Sequence, residues 1–237
     1  MGKSTMKKVL DKGYVRLVDK MGSDLSIVNA ARVSFDKESY ALNEKDESLI
    51  AYLIREGHTS PFRHANMQFE IYSPLMMARQ HWKHVVGSDH TMDSWNESSR
   101  RYVTEVPEFY IPSPAEWRGA PEDSKQGSGE NLPESKGKNW TEAIQLHAEL
   151  SENLYNQAMT DGVCAEQARL FLPAYGLYIR YYWSASLQSV LHFLDQRLDL
   201  HAQKEIQVYA EAVEVYVVQE FPAVYEAWRK AHEPNAK

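Results

Sequence analysis

The sequence predicts a mixed α/β chain of the α+β kind, with a small central sheet flanked by helices, on three observations. Apolar residues recur with a helical period in both halves of the chain. Alternation with period two is confined to short runs, and those runs are scattered between helices instead of forming one block. No internal repeat is visible, and neither half carries a self-contained pattern, so one domain over residues 1–237 is expected.

Each element follows from local chemistry. Tyr14 to Val18 alternates and reads as a strand. Asp24-Leu25-Ser26 opens a helix that runs through Ala30 and Ala31, with Asp24 as its cap. Glu44 to Arg55 is amphipathic: Leu49, Ile50, Leu53 and Ile54 share one side, and Gly57 ends the helix. Ala65 to Tyr72 alternates as a strand. Ser73-Pro74 then signals a helix start, serine as cap and proline in the first position. On that helix Ala78, Trp82 and Val85 are expected to face the core, with Arg79, Gln80, Lys83 and His84 on the opposite arc. Phe109 to Pro112 is a short extended piece. Ser113 to Asn139 is rich in Pro, Gly, Ser, Lys and Glu without periodicity and is expected to be a lid or flexible loop. Trp140 to Met159 predicts a helix and Ala165 to Leu172 a shorter one, ended by Pro173. Leu177 to Trp183 is an aromatic strand. Leu187, Val190, Leu191, Leu194 and Leu198 trace a helical stripe, and Ile206 to Val218 continues as another helix.

Composition bounds the function. Hydrophobic content of 43% and charged content of 25% are ordinary for a globular domain. A net charge of −7 argues against a broad nucleic-acid footprint. Cys164 is the only cysteine, which leaves no intrachain disulfide or thiolate cage and fits a reducing, cytoplasmic setting. No run of about twenty apolar residues reads as a membrane span. MGKSTMKK has no apolar region to act as a secretory signal, and its Gly2-Lys3-Ser4-Thr5 lacks the upstream glycine and strand of a phosphate loop.

Against that acidic background, Arg79 to Tyr102 stands out. It gathers Arg79, Lys83, Arg100 and Arg101 with His81, His84 and His90, interleaved with amide and hydroxyl side chains. Forked guanidiniums beside neutral donors suit a small phosphorylated ligand, and a solvated helix end is the bland alternative. Arg169 and Arg197 are a second candidate pair, although arginines beside apolar stripes usually pair with an acid, here Asp195 or Asp199. His58 and His64 lack the spacing of a metal motif, and two histidines hydrogen-bonding in a loop are the commoner case. Cys164 reads as a small buried thiol, with no histidine nearby to activate it.

Taken in order, these pieces resemble the flavin-dependent thymidylate synthases over nearly the whole chain. The resemblance is carried by Leu10-Asp11-Lys12-Gly13-Tyr14-Val15, the run from Val18 to Ser26, Ala30-Ala31-Arg32-Val33-Ser34-Phe35 and Gly57-His58-Thr59-Ser60-Pro61-Phe62. It continues through Ala78-Arg79-Gln80, the run from Asn96 to Tyr102, Phe109-Tyr110-Ile111-Pro112, Ala168-Arg169, Leu172-Pro173, His201-Ala202-Gln203 and Glu205-Ile206-Gln207. It implies that family's fold as a homotetramer, each site assembled from several subunits. The implied reaction converts dUMP to dTMP with methylenetetrahydrofolate as carbon donor, and with FAD reduced by NADPH. Carried over by position, Gln80, Lys83, Glu97, Ser99, Arg101, Arg169 and Arg197 would hold the nucleotide. Arg197 would also polarise the pyrimidine and favour ionisation at N3. His58, Ser60, Lys83, His84, Glu97 and His192 fall at flavin positions, and no metal is implied.

The chain departs from the family on the flavin side. Lys83-His84-Val85 replaces Arg-His-Arg, and the stretch from there to Asn96 is longer. Ser186, Gln188 and His192 stand where the family has Asn, Arg and Asn. These changes leave open UMP or another pyrimidine monophosphate as substrate, a hydroxymethylated product, or a nucleotide binder without catalysis. Backbone donors near Lys125-Gln126-Gly127-Ser128 are a candidate compensation.

Overall fold

The computed structural model describes residues 5–87, 93–99, 106–122 and 127–232, with the side chains at 85–87 outside that description. Five strands, β1 (Lys7–Val9), β2 (Gly13–Met21), β3 (Asn66–Pro74), β4 (Ser94–Glu97) and β5 (Tyr178–Ser186), form one sheet in the order β1-β2-β3-β5-β4. Every pairing is antiparallel, so the expected mixed architecture is α+β in the strict sense. The helices are α1 (Asp24–Arg32), α2 (Glu44–Arg55), α3 (Leu75–Gly87), α4 (Glu134–Thr160), α5 (Ala165–Ala168), α6 (Leu187–Arg197), α7 (Lys204–Glu220) and α8 (Pro222–His232). The main core packs Phe69, Ile71, Tyr181 and Trp183 of the sheet against Leu194, Ile206, Val213 and Tyr216. A smaller cluster of Phe109, Ala148, Tyr155, Ala158, Ala168, Leu172 and Leu177 seats α4.

Several boundaries differ from those expected, for identifiable reasons. Ser23, not Asp24, caps α1, in a reciprocal box with Ser26. Asp24 is buried and accepts from the backbone of Ala223 and Val224 at 3.2 and 3.1 Å, so it caps α8 from across the fold. Ser73-Pro74 do not start a helix: they end β3, paired with Ile179 and Tyr178. The first donors of α3 are met by carbonyls of the neighbouring chain, Leu75 to Leu177 at 2.8 Å and Met76 to Tyr175 at 3.1 Å, so no cap is needed. Ser113 to Asn139 is not one structureless loop. It holds a turn at Pro114–Glu116 boxed by Ser113, an antiparallel bridge between Arg118 and Asn131, and the first turns of α4. Gly137 disguises that helix start in the sequence, yet its glycine is required: a Cβ there would lie 1.8 Å from the Pro114 carbonyl oxygen.

The buried face of α3 is also rotated from the one expected. Met77, Ala78 and His81 are buried, whereas Trp82 is 45% exposed; Val85 lies outside the described side chains. His81 fills a cage of Trp95, Tyr181, Trp183 and Phe193 rings, with centroids 4.3 to 5.8 Å away. Its Nδ1 lies 3.1 Å from the Tyr181 hydroxyl, while its Nε2 is buried without a hydrogen-bond partner. Such a site accepts only the neutral imidazole, because an uncompensated buried charge is far costlier than a neutral ring.

Burial first, and His84 second, push the His81 pKa down to about 3. The unfolded chain takes up that proton below about pH 6.5, while the folded chain does not. Acidification from about pH 6.5 towards 3 therefore destabilises the fold, by roughly 1 kcal/mol per unit from this group. His81→Phe keeps the aromatic packing and removes the proton uptake. The melting temperature of this variant should fall less between pH 6.5 and 5 than that of the unmodified chain; equal falls would refute the assignment.

Candidate active site

Two strands lead directly into two helices. β3 passes into α3 and β5 into α6, and because Pro74 pairs with Tyr178 and Asn66 with Ser186, the helices leave opposite ends of one strand pair. The helices meet at His84 and Arg197. Arg197, the last residue of α6, donates its Nε–H to His84 Nε2 at 2.6 Å. The expected acid partners are engaged elsewhere, which corrects the pairing of Arg197 with Asp195 or Asp199. Asp195 lies 3.3 Å from His232, and Asp199 accepts from the His201 backbone at 2.7 Å.

Among the described residues Arg197 forms no ion pair. Burial lowers its pKa from the ordinary value, but an arginine so placed stays charged. His84 is pushed down to about 4, by burial first and then by the charge of Arg197 and by His192. A neutral His84 accepts through Nε2 and so carries its proton on Nδ1. Because Nε is taken by His84, both Nη groups of Arg197 remain for a planar acceptor.

Two openings are lined by other residues of the same two helices, the first by Gln188, His192 and Asp195 of α6 and the second by Arg79, Trp82 and Lys83 of α3, and neither is lined by His84 or Arg197 themselves. The first is a cavity of about 190 Å³ with His58, Thr59, Phe62, Gln188, His192 and Trp228 in its lining. Gly57 sits at φ +67°, which turns the chain after α2, and the buried Phe62 anchors the short turn at Ser60–His64. His58 and His192 thereby face one space; Ser60, at the start of that turn, is exposed. The second opening, about 490 Å³, is bordered by Arg79, Trp82, Lys83, Trp95 and Glu97. Trp95 stacks on Tyr181 at 3.9 Å, which holds β4 and its Glu97 against the sheet. Ser99 follows two residues after β4 and is half-buried.

The remaining positions are placed apart. Gln80 hydrogen-bonds Gln203, which reaches Glu205 at 2.9 Å; Glu205 in turn takes Arg118 at 2.6 Å. Beside this chain a third cavity of about 510 Å³ is lined by Tyr110, Trp117, Arg118, Gly127 and Ser128. Arg169 is exposed beyond α5, its Nε donating to the Glu166 carbonyl at 3.2 Å, and neither it nor Arg197 lines any of these three cavities. Arg101, and with it Lys125 and Gln126, lies outside the described residues. Among the described residues no three His, Cys, Asp or Glu side chains form a metal-holding group. Cys164 is exposed, not buried as expected, because it stands at the N-cap of α5 on the surface.

Sequence reasoning missed the wall that α8 gives the first cavity through Trp228 and His232. The spacing of Val224 and Trp228 after Phe221-Pro222 is the signal that marks this helix. The clasp between Arg118 and Glu205 was missed as well, and nothing local marks it, since 87 residues separate the partners.

Comparison with known proteins places this geometry. The family model for thymidylate synthase complementing protein matches residues 16–223. A flavin-dependent thymidylate synthase of Thermotoga neapolitana is 40% identical over 222 residues, covering 94% of this chain and 93% of that protein. Another, from Ehrlichia ruminantium (strain Gardel), is 38% identical over 221 residues, covering 93% and 72%. Among solved structures, a UMP/dUMP methylase from Streptomyces cacaoi bound with 5-bromo-UMP superposes with a TM-score of 0.81 at 27% identity, covering 95% of this chain and 97% of that one. Its complex with 5-bromo-dUMP gives 0.80 at 28% identity, covering 93% and 96%. A sheet led by β3 and β5, an arginine ending α6 and a family match across nearly the whole length agree, and the chain belongs to the flavin-dependent thymidylate synthase family.

Proposed function

We propose that this chain converts dUMP to dTMP by reductive methylation at C5, taking the carbon from methylenetetrahydrofolate and using FAD and NADPH, as a cytoplasmic homotetramer. The observation that carries the reading is Arg197: a half-buried guanidinium, held by a neutral histidine instead of a carboxylate, with both Nη groups left over. Facing a pyrimidine, that group stabilises negative charge on the ring carbonyl and N3 without moving a proton of its own. A carboxylate partner would neutralise the same field, so the His84 contact is what keeps it available.

The phosphate end falls to Arg169, Arg101 and Ser99, with Gln80, Lys83 and Glu97 orienting the nucleotide. Within one protomer Arg169 is engaged with the Glu166 carbonyl and Arg197 with His84, and no described cavity is lined by both. This supports a site completed by neighbouring copies.

The donors around the first two openings fit a flavin. Imidazole rings, an amide and a tryptophan wall suit a planar ring carrying both donor and acceptor atoms. At about 190 Å³ the first opening falls below the usual ligand-pocket range of about 300–1,000 Å³, and so takes a ring system and not a whole dinucleotide. His58, Ser60, His84 and His192 would hold the ring end, and Lys83 with Glu97 the more polar part. When bound, reduced FAD supplies the electrons that turn the transferred carbon into a methyl group. Lys83 keeps a charge where the family has arginine but loses the fork, so the neutral donors carry more of the binding. A second reading keeps the chemistry and takes UMP, favoured by the Streptomyces cacaoi methylase that was solved with both bromo-nucleotides.

Purified chain should be yellow and release FAD on denaturation; colourless protein that cannot be reconstituted with FAD would refute the proposal. Arg197→Ala should lower methyl transfer by about 10²–10³-fold, as for loss of one transition-state donor, with an unchanged melting curve. Undiminished turnover would remove Arg197 from the mechanism. In direct competition dUMP should be consumed in preference to UMP, with the product mass showing one added methyl group; the reverse order would establish the second reading.

A further inference from the structure

We propose that Arg118, Glu205 and Gln203 form a positioning relay that sets the amide of Gln80 with its Oε1 left free, as the acceptor for the 3′-hydroxyl of the bound nucleotide. The role rests on the nucleotide reading above and gives Gln80 a defined polarity. Three side chains stand in series behind that amide. Gln80 Nε2 donates to Gln203 Oε1, and Gln203 Nε2 donates to Glu205 Oε2 at 2.9 Å. Arg118 Nη2 donates to Glu205 Oε1 at 2.6 Å. The series joins α3, the cap and first turn of α7, and the segment that bridges to Asn131.

Each bond in the series has one permitted direction. A guanidinium only donates, and an ionised carboxylate only accepts. Glu205 is buried; burial alone would raise its pKa, but donation from Arg118 and Gln203 holds it below the ordinary carboxylate value. Its place in the first turn of α7 favours the charged form as well. Gln203 must then turn its NH₂ to Glu205, which leaves its carbonyl oxygen facing Gln80. Gln80 must give an N–H to that oxygen, and its own Oε1 stays without a partner among the described residues. Such an oxygen calls for a donor. The ionised phosphate of dUMP has none, and the ring carbonyl and N3 belong to Arg197 in the proposed site. The 3′-hydroxyl is the donor that remains.

Glu205→Gln reverses the series while keeping its shape. Arg118 demands the carbonyl of the new amide, so the new NH₂ faces Gln203, Gln203 turns over, and Gln80 presents an NH₂ in place of its oxygen. Exchanging the two groups, Gln203→Glu with Glu205→Gln, puts an acceptor-only carboxylate beside Gln80 and frees its Oε1 again. Calorimetry on the full-length, FAD-loaded chain compares dUMP with its 3′-deoxy-3′-fluoro analogue, which lacks the donor. The unmodified chain should bind dUMP about tenfold more tightly. Glu205→Gln should reduce that preference to less than about twofold, and the exchange variant should restore it. A preference that Glu205→Gln leaves unchanged, or that the exchange does not restore, would overturn the relay. Equal binding of both nucleotides by the unmodified chain would overturn the 3′-hydroxyl as its target. Absence of any dUMP binding would instead overturn the nucleotide reading. Circular dichroism checks folding; if the single variant is unfolded, the exchange variant, which keeps the charge and both groups, must still show the preference of the unmodified chain.

Discussion

The pairing of β3 with β5 is the constraint from which the rest follows. Nine residues of each strand are in register, from Asn66 with Ser186 to Pro74 with Tyr178. Each strand continues without a loop into a helix, so the register of the sheet also sets where α3 and α6 begin. Phe69 stacked on Trp183 at 5.6 Å and the His81 cage lock the helices onto the sheet. A slip of one residue in β5 would send Trp183 to the opposite face, out of the His81 cage, and would shift α6 against α3, moving Arg197 away from His84. The contact between His84 and Arg197 is therefore a product of strand register rather than of local sequence.

That contact also accounts for two histidines that differ in role although three residues apart on one helix. Both are held neutral by burial, but His81 is enclosed by aromatic rings and serves packing, while His84 faces a guanidinium and orients it. The chain thus keeps a half-buried cation at Arg197 that no carboxylate among the described residues neutralises. The departures of the family motif at Lys83 and Val85 remove forked donors on the flavin side. They leave the contact between Arg197 and His84 untouched, and with it the proposed nucleotide side.

Much of the fold was legible because local signals are strong where they occur. Asn43 and Asp46 box the start of α2, and Gly57 turns the chain after it, so its expected limits match those observed. Alternation marked β2, β3 and β5, although each strand runs on past the expected end, as ladder pairing outlasts the pattern. The start of α4 was obscured because Gly137, needed for close approach to Pro114, reads as a loop residue. The inner face of α3 was misjudged because a histidine counts as polar in any pattern, whereas His81 is enclosed by rings contributed from distant strands. Of the candidate site, the resemblance proposed residues but not their grouping. The partners Arg197 and His84 are 113 residues apart, which no local pattern encodes.

The account turns on a neutral His84 accepting a hydrogen bond from Arg197, and a nitrogen-15 NMR titration of the histidine rings tests it most directly. His84 should remain neutral with an unprotonated Nε2 at pH 7 and take up a proton only near pH 4. Replacing Arg197 by alanine should raise that midpoint. A His84 that titrates near the ordinary value of about 6.5, and does not respond to the loss of Arg197, would contradict it.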